Sequence, residues 1–261
     1  MPDTKPEIEW RRLRADQLRE KAKENAIVIV PVGSLEQHGP HLPVEVDSLL
    51  GETVALRAAR IVAEKEPILV TPCLWTGISE HHMSFGGTIT LGFPAFSALI
   101  TDVVHSIVRH GFKRVVLLNG HGGNDNGLRV LADELSPKFN IPILQFTYWY
   151  AAAAPIARIL ETQKQLLHAC EAETSMTMHL RPELVARDRI KLADVNTTPD
   201  ITDVVGGGVY LWRSLASRSS AGVIGNPGAA TPEKGERLVA DIAKEIAAKL
   251  TNKDVWQLPW R

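Results

Sequence analysis

The sequence predicts an α/β protein in which helices cover both faces of a mostly parallel central sheet, a three-layer α/β/α sandwich. Three observations favour this fold: short runs rich in Val, Ile and Leu, amphipathic helical patterns between them, and polar clusters that follow them. Strands covered on both faces form nearly continuous apolar runs, and strands that alternate with helices are typical of parallel sheets. With 261 residues, 44% of them hydrophobic, the chain is long enough to bury this core as one domain over 1–261.

Four apolar runs are predicted to be the strands. Each is short and lacks the strict alternation of apolar and polar residues that marks a half-exposed strand. In chain order they are AIVIVPV (26–32), PILVTPC (67–73), RVVLLN (114–119) and PILQFTY (142–148). In a parallel sheet the carboxyl ends of these four strands lie at the same edge.

The segments between the strands carry apolar residues at helical spacing. In 95–110 the apolar positions recur every three or four residues, and Gly111 follows where a C-terminal cap is expected. Thr231 and Pro232 supply an N-cap and a first-turn proline for a last helix that reaches about Leu250. Two further amphipathic stretches cover 49–62 and about 127–135.

The region 190–230 is the least regular part of the sequence. It contains GGG (206–208) and SLASRSSAG (214–222), whose small and polar residues are typical of loops. We expect this region to run over the surface or to form a subunit contact. The sequence predicts no second domain.

The composition argues against several kinds of partner. A net charge of −1 provides no basic excess to neutralise phosphates, which argues against nucleic acid. No apolar run approaches the roughly 18 residues of a membrane span, and the charged N-terminus has no signal-peptide core. Cys73 and Cys170 are the only cysteines, which suits a reducing cytoplasm better than a disulfide framework.

Polar and aromatic side chains follow each predicted strand. In open α/β sheets ligands bind beyond the carboxyl ends of the strands, so these side chains are candidates for a functional site. The glycines and the phenylalanine of SEHHMSFGGT (79–88) indicate a pocket wall more than a ligand set. In chain order the candidates are Glu36, His38, Asp47, Glu80, His81, His82, His121, Tyr148, Trp149 and Tyr150.

The loop after the first strand, GSLEQHGPHLPVEVD (33–47), is rich in metal-binding side chains. If the backbone is extended, Glu36 and His38 project to the same side, so a carboxylate and an imidazole can bind one ion. Asp47 follows after a segment stiffened by prolines. Mixed His and carboxylate ligands suit Zn²⁺, Mn²⁺ or Fe²⁺. The alternative is a polar loop with solvated charges.

The motif NGHGGN (119–124) follows the third strand and surrounds His121 with glycines. Glycines cost backbone entropy unless the chain must take a positive φ or approach another group closely. If a helix opens near Asn126, the amide groups of Gly122 and Gly123 can hold an anion or a developing oxyanion. The alternative is a tight turn with an incidental histidine.

The segment HACEAETS (168–175) places His168, Glu171 and Glu173 in one short run. Both glutamates could bind a metal or take part in proton transfer. If a helix starts near Glu171, acidic residues in its first turn could instead simply complement the helix dipole. Cys170 is expected to be a small buried residue, because nothing nearby marks its thiol as activated.

Five segments together resemble the signature motifs of the creatininase (creatinine amidohydrolase) family, in the family's order. The resemblance implies a three-layer α/β/α fold, a homohexamer and a metal centre of one or two divalent ions. It also implies hydrolysis of carbon–nitrogen bonds in cyclic amides and formamides, while one branch cuts a small peptide precursor in mycofactocin maturation. The segments are GSLEQHGPHLPVEVD, EHHMSFGGTITL, NGHGGN, HACEAETS and GVIGNPGAATPEKGE, spread over residues 33–236.

The resemblance also implies a ligand set. The residues that match the family's metal ligands are Glu36, His38, Asp47 and His121. Asp47 is expected to bridge two ions. Creatininase itself has an acidic ligand two positions after the histidine of NGH, whereas this chain has Gly123. We therefore expect Glu171 or Glu173 to complete the site, and this departure argues against creatinine itself as the substrate.

The expected reaction is amide hydrolysis assisted by one or two Zn, Mn or Fe ions. A bound ion lowers the pKa of water toward about 7 and so supplies hydroxide near neutral pH. The amides of Gly122 and Gly123 would stabilise the oxyanion, and His168, Glu171 or Glu173 would give a proton to the leaving nitrogen. The residues expected to bind the substrate are Tyr148, Trp149, His81, Gly122 and Gly123.

Two other functions stay open. The first is a mycofactocin-type peptidase that acts on a small peptide precursor, which a substrate panel or the genomic neighbourhood would separate from an amidase. The second is a non-catalytic metal-binding assembly protein. The intact ligand residues argue against it, because a site that has lost its function should have lost ligands.

Overall fold

A four-stranded parallel sheet forms the centre of the molecule. The structure, a computed structural model, describes residues 6–258. The strands are β1 (Ile27–Val32), β2 (Ile68–Val70), β3 (Arg114–Asn119) and β4 (Ile143–Thr147). Their order is β2-β1-β3-β4, and every neighbouring pair is parallel. The four predicted strands are therefore confirmed, although β2 ends earlier than expected.

Helices cover both faces of the sheet. One core joins one face of the sheet to α2, α6, α7 and α9, and a second core joins the other face to α3 and α4, with α1 packed against it. This arrangement confirms the predicted α/β/α fold class. In chain order the helices are α1 (Ala15–Lys23), α2 (Val46–Val62), α3 (Phe93–Arg109), α4 (Asp125–Phe139), α5 (Tyr148–Ala151), α6 (Ala153–Ile159), α7 (Glu171–Leu180), α8 (Ile201–Val205) and α9 (Pro232–Thr251).

The strands alternate between the two cores. In β1, Ile27 and Ile29 belong to the core under α2, α7 and α9, whereas Val28 and Val30 belong to the core under α3 and α4. All four side chains are fully buried. The apolar run without polar residues is explained by this double burial, since successive side chains of a strand point to opposite faces.

Helix α9 crosses α7 so closely that the backbones of the two helices are in contact. A Cβ atom added to Gly235 would lie 2.0 Å from the carbonyl oxygen of Ser175, so no side chain fits at this position. The predicted start of α9 is confirmed, because the Thr231 hydroxyl accepts the amide hydrogen of Lys234 at 3.2 Å. The close crossing fixes the position of α7, whose side chains from Glu171 to Met178 are all buried.

The region 190–230 is irregular, as predicted. It contains short 3₁₀ turns and the five-residue α8. Large apolar side chains are exposed between Val204 and Trp212. Within residues 6–258, none of the helices combines the length and the apolar character that a membrane crossing requires.

Candidate metal centre

Five ionisable side chains meet at the carboxyl edge of the sheet. Glu36 and His38 lie in the loop after β1, Asp47 in the first turn of α2, His121 directly after β3 and Glu173 in the first turn of α7. Each of the five residues is at most 4% exposed. The structure therefore brings together at this edge the residues that the sequence singled out.

Glycines let the start of α2 approach two strand ends. A Cβ atom on Gly33 would lie 2.6 Å from Cα of Ser48, and one on Gly120 would lie 2.6 Å from the carbonyl oxygen of Asp47. The absence of a side chain at both positions allows this close approach. As a result, Asp47 sits between the loop that follows β1 and the loop that follows β3.

His38 presents an unsatisfied nitrogen to two carboxylates. Its Nδ1 lies 3.1 Å from the carbonyl oxygen of Glu36 and donates to it, so a neutral ring carries its lone pair on Nε2. This Nε2 lies 3.2 Å from Oδ1 of Asp47 and 3.9 Å from Oε2 of Glu173. It is buried without a hydrogen-bond partner among the described residues. A lone pair that faces two carboxylates requires a proton or a metal ion between them.

His121 repeats this arrangement on the other side of Asp47. Its Nε2 lies 3.0 Å from the carbonyl oxygen of Ile78 and donates to it. The other ring nitrogen, Nδ1, lies 2.9 Å from Oδ2 of Asp47 and 3.0 Å from Oε2 of Glu36. Histidines that bind metals usually donate their second nitrogen to a carbonyl or carboxylate in this way, which fixes the ring and its tautomer.

Besides a group of Glu36, His38 and His168, the donor atoms form two groups that share Asp47. The first consists of Glu36, Asp47 and His121, and the second of His38, Asp47 and Glu173. Within each group the ligand atoms lie within 4.8 Å of one another. Imidazole nitrogens and carboxylate oxygens suit Zn²⁺ and Mn²⁺. The residues therefore fit two divalent ions with Asp47 between them.

The structure separates the two candidate glutamates of α7. Glu173 belongs to the cluster, but the carboxylate of Glu171 accepts the amide hydrogens of Glu161 and Thr162, each at 3.0 Å, and the ammonium group of Lys234 at 2.8 Å. Glu171 is therefore not part of the ligand set, nor close enough for proton transfer there, which corrects the expectation from the sequence.

Gly123 cannot carry the acidic ligand that creatininase itself has at this position. A Cβ atom there would lie 2.1 Å from the carbonyl oxygen of Ile78 and 2.5 Å from Nε2 of His121. Any side chain would displace the histidine or its acceptor. Glu173, on α7, places a carboxylate in the cluster.

Protons on side chains of the cluster balance the negative charges of its carboxylates. Burial lowers the pKa of His38, but Asp47 and Glu173 outweigh burial and raise this pKa to about 9. Burial also lowers the pKa of His121, but the carboxylates of Glu36 and Asp47 outweigh burial. The pKa of His121 therefore lies well above its usual value. Burial raises the pKa of Glu173 to about 8. At neutral pH these three groups carry protons at places where metal ions would bind.

His82 adds a histidine that the sequence assigned only to a pocket wall. The amide oxygen of Gln37 accepts from Gly39 at 2.9 Å, so its amide nitrogen donates to Nδ1 of His82 at 2.9 Å. His82 is then protonated on Nε2, which lies 3.1 Å from Oε1 of Glu36. This contact orients the Glu36 carboxylate. The doublet of histidines after Glu80 was the only sequence signal for it.

His168 faces the cluster with a free ring nitrogen. Its Nε2 donates to the carbonyl oxygen of Gln37 at 2.9 Å, which leaves the lone pair on Nδ1, 3.6 Å from Oε1 of Glu36. Burial, and then the positive charge of His38, hold the pKa of His168 well below its usual value. A neutral imidazole with an available lone pair can accept a proton from a bound water or substrate.

A cavity of about 330 Å³ opens over the cluster. Of the predicted substrate-binding residues, His81, Gly122, Gly123 and Trp149 line it. Tyr148 does not, because it is only 1% exposed and packs in the core. A larger cavity of about 1080 Å³ lies at the amino ends of the strands, beside residues such as Arg114 and Trp256. No metal-binding group is found there among the described residues.

The fold and the donor set define an enzyme of the amidohydrolase class. The chain belongs to the creatininase family, because residues 11–250 match the family profile described as creatinine amidohydrolase. Both the family and the hydrolysis of carbon–nitrogen bonds that the sequence predicted are confirmed.

Several known proteins are similar to this chain. A mycofactocin precursor peptide peptidase from Mycobacterium tuberculosis is 30% identical over 229 residues, 85% of this chain and 84% of that protein. Creatinine amidohydrolase from Pseudomonas putida is 29% identical over 262 residues, 92% of this chain and 93% of that protein. The crystal structure of a creatinine amidohydrolase, 24% identical, matches with a TM-score of 0.80 over 94% of this chain and 97% of that chain.

Two solved relatives are named for their metals. A creatininase named for manganese is 24% identical, with a TM-score of 0.78 over 95% of this chain and 99% of that chain. A creatininase variant named as a Zn-Zn type is 26% identical, with a TM-score of 0.77 over 95% and 98%. Divalent metals are therefore bound in solved members of the family.

Proposed function

We propose that this protein hydrolyses the amide bond of a small substrate at a centre of two divalent ions. The observation that carries the proposal is the pair of donor groups that share Asp47, one with Glu36 and His121, the other with His38 and Glu173. Two ions held by a common carboxylate are typical of enzymes that attack a carbonyl with water.

The residues of the chain have separate roles in this reaction. Ions held in the two donor groups would polarise the substrate carbonyl and lower the pKa of water toward about 7. The glycines at 122 and 123 line the cavity beside the cluster, where backbone amides can stabilise a developing oxyanion. His168 accepts a proton at Nδ1 from the attacking water and then donates it to the leaving nitrogen. His81 and Trp149 contact the remainder of the substrate.

We propose zinc or manganese as the resident metal. The His and carboxylate donors and the metals for which the solved relatives are named support this assignment. The family resemblance supports a homohexamer. Two cysteines that are both free, Cys73 and Cys170, support a cytoplasmic location.

Metal analysis coupled to a substrate panel tests the proposed function. The purified protein is dialysed against a chelator, reloaded with Zn²⁺ or Mn²⁺, and assayed on cyclic amides, formamides and acyl amino acids. We expect hydrolysis only after reloading. Full activity in protein that contains no metal by mass spectrometry would refute the mechanism.

A peptidase is the second candidate, and the relatives favour it. The Mycobacterium tuberculosis protein, at 30% identity, is named as a peptidase for the mycofactocin precursor peptide. The same centre can hydrolyse a peptide bond, since a peptide is also an amide. Cleavage of short peptides, with no turnover of the acyl amino acids or cyclic amides, would favour this candidate.

A further inference from the structure

Arg218 is the one lysine or arginine that lines the cavity of the metal centre, among the residues that the structure describes. It follows the 3₁₀ turn Leu215–Ser217, and its side chain is 23% exposed. All other charged groups in the lining belong to the donor cluster or are histidines beside it. Arg218 therefore provides the one permanently cationic side chain of the described cavity lining.

The guanidinium group of Arg218 is held from outside the cavity. Its Nη1 lies 3.0 Å from Oδ2 of Asp200, and its Nε lies 3.5 Å from the carbonyl oxygen of Thr198. Asp200 is itself fixed, because it caps α8 and its other oxygen accepts the amide hydrogen of Thr202 at 3.3 Å. Neither Thr198 nor Asp200 lines the cavity.

These two contacts leave part of the guanidinium group available. Arginine has five donor hydrogens in a planar fork. Within the described part of the chain, Nη2 has no hydrogen-bond partner. The group is thus oriented by Asp200 but not saturated by it, which is the state of an arginine prepared for an anionic ligand.

Much of the remaining wall of the cavity is formed by apolar side chains. The side chains that form it are Trp149, Leu166, Leu167, Leu215 and Ile224. The cavity thus combines a metal centre, an apolar wall and one arginine in about 330 Å³, at the small end of ligand sites. A matching molecule places its amide at the metals, an apolar part along the wall and an anion at Arg218.

We propose that Arg218 binds a carboxylate of the substrate, so that the substrate class is an acyl amino acid or a similarly small amide with a free carboxylate. This inference rests on the proposed function and adds the substrate class to it. A neutral amide offers the guanidinium group only an uncharged carbonyl oxygen, whereas a carboxylate can accept two parallel charge-assisted hydrogen bonds from it. Arg218 would thereby select anionic amides and orient them for attack.

Carboxylate-bearing hydroxamates test the inference without requiring turnover. The probes are the monohydroxamates of malonic, succinic and glutaric acid, each compared with its methyl ester, on metal-loaded protein by calorimetry. The hydroxamate group binds divalent ions, and the three chain lengths sample the separation between the metals and Arg218. We expect at least one acid to bind about tenfold more tightly than its ester, as for a charge-assisted hydrogen bond.

Two variants on the same segment separate recognition from general effects. Arg218→Gln should abolish the preference for the acid while the ester binds as before. Arg213→Gln is the matched control, because Arg213 lies outside the cavity and its guanidinium group contacts the carbonyl oxygen of Pro199 at 3.4 Å. It removes one positive charge from the segment and should keep the preference. If Arg218→Gln fails to fold, Asp200→Asn removes the anchoring charge, keeps a helix cap and should reduce the preference severalfold.

The outcomes separate this inference from the proposed function. Equal binding of every acid and its ester by the wild type would overturn the role of Arg218, as would a preference that persists in Arg218→Gln or, should that variant not fold, in Asp200→Asn. Absence of binding by protein that contains metal would overturn it as well. A clear preference for the acid, with no hydrolysis of any amide, would uphold the anion site and refute only the amidohydrolase proposal.

Discussion

Two buried glutamates on the first turn of α7 have opposite surroundings. The carboxylate of Glu171 is saturated, because it accepts two backbone amide hydrogens and a hydrogen bond from Lys234. The carboxylate of Glu173 faces Nε2 of His38, which has no hydrogen-bond partner in the described part of the chain, and the carboxylate of Asp47. Burial alone therefore does not identify a functional charge.

The difference lies in what compensates the desolvation of each charge. Removing an ionised group from water costs several kcal/mol unless partners replace the lost hydration. The partners of Glu171 are all within the chain, so this group is an anchor. Glu173 accepts one backbone amide hydrogen, from Ala169, and otherwise faces the protonated His38 and the carboxylate of Asp47, so protons or metal ions must supply the rest of the compensation.

Removing the carboxylate that both donor groups share should have the largest effect. Asp47→Ala deprives each group of a ligand and leaves His38 and His121 without their common counter-charge. Metal affinity should fall by more than about 100-fold, because loss of an outer partner alone typically costs about 10–100-fold. Metal content after dialysis, measured by mass spectrometry, checks this result.

The matched control for Asp47→Ala is Glu45→Gln in the same loop. Glu45 precedes α2 but belongs to neither donor group. This variant should retain its metal. Unchanged metal content in Asp47→Ala would contradict the bridging role of that carboxylate.

The structural role of Glu171 is tested by its effect on stability. Glu171→Gln leaves the ammonium group of Lys234 without its buried partner, and the free energy of unfolding should fall by about 3 kcal/mol. Urea unfolding of the metal-free protein measures the loss. Metal content at low temperature should be nearly unchanged. A Glu171→Gln variant that is as stable as the wild type but no longer binds metal would contradict the structural role of Glu171.

Glu173→Gln should show the reverse pattern. Since the pKa of Glu173 is about 8, the group is protonated at pH 7 without metal, and a neutral amide of similar size replaces it with little change in stability. Metal affinity of the group formed with His38 and Asp47 should fall by about tenfold or more. Calorimetric titration with Zn²⁺ measures it. Equal metal affinity in this variant and in the wild type would exclude Glu173 as a ligand.

The pH dependence of metal binding tests the protons that the cluster carries before it binds metal. With pKa values of about 9 for His38 and about 8 for Glu173, both groups are protonated at pH 7 and must lose these protons to bind an ion. Affinity should therefore rise from pH 7 through about 9, by up to about tenfold per pH unit for each proton released. Calorimetry in two buffers of different ionisation enthalpy counts the protons. A flat profile would contradict protonation of the metal-free cluster.

Local patterns were sufficient to predict the sheet and most of the cluster. Apolar runs and the start of α9 can be recognised from residues that are close together in the sequence. The carboxyl ends of parallel strands lie at one edge of the sheet whatever the sequence is. That rule places Glu36, His38, Asp47 and His121 among the candidates at this edge, and the family resemblance selects these four as ligands. Helix α1 was not predicted, because its sequence ADQLREKAK contains few apolar residues to reveal a helical period.

The choice between Glu171 and Glu173 depends on distant contacts. Residues two apart on a helix point about 200° apart, so only one of these glutamates can face the cluster. The rotation of α7 decides which one, and that rotation is set by Lys234 and Gly235 on α9. Tyr148 was misassigned for a similar reason, since the turn of α5 directs it into the core and leaves Trp149 at the cavity.

The crossing at Gly235 limits how the protein can be engineered. Replacing a glycine inside a helix by alanine normally stabilises the helix by about 1 kcal/mol, so this position invites such a change. Here the added methyl group would press on the backbone of Ser175, two residues beyond Glu173. A routine stabilising substitution, more than 60 residues away in sequence, would shift Glu173 in the donor cluster without contacting it. At Gly235 the packing of α9 against α7 thus outweighs helix propensity.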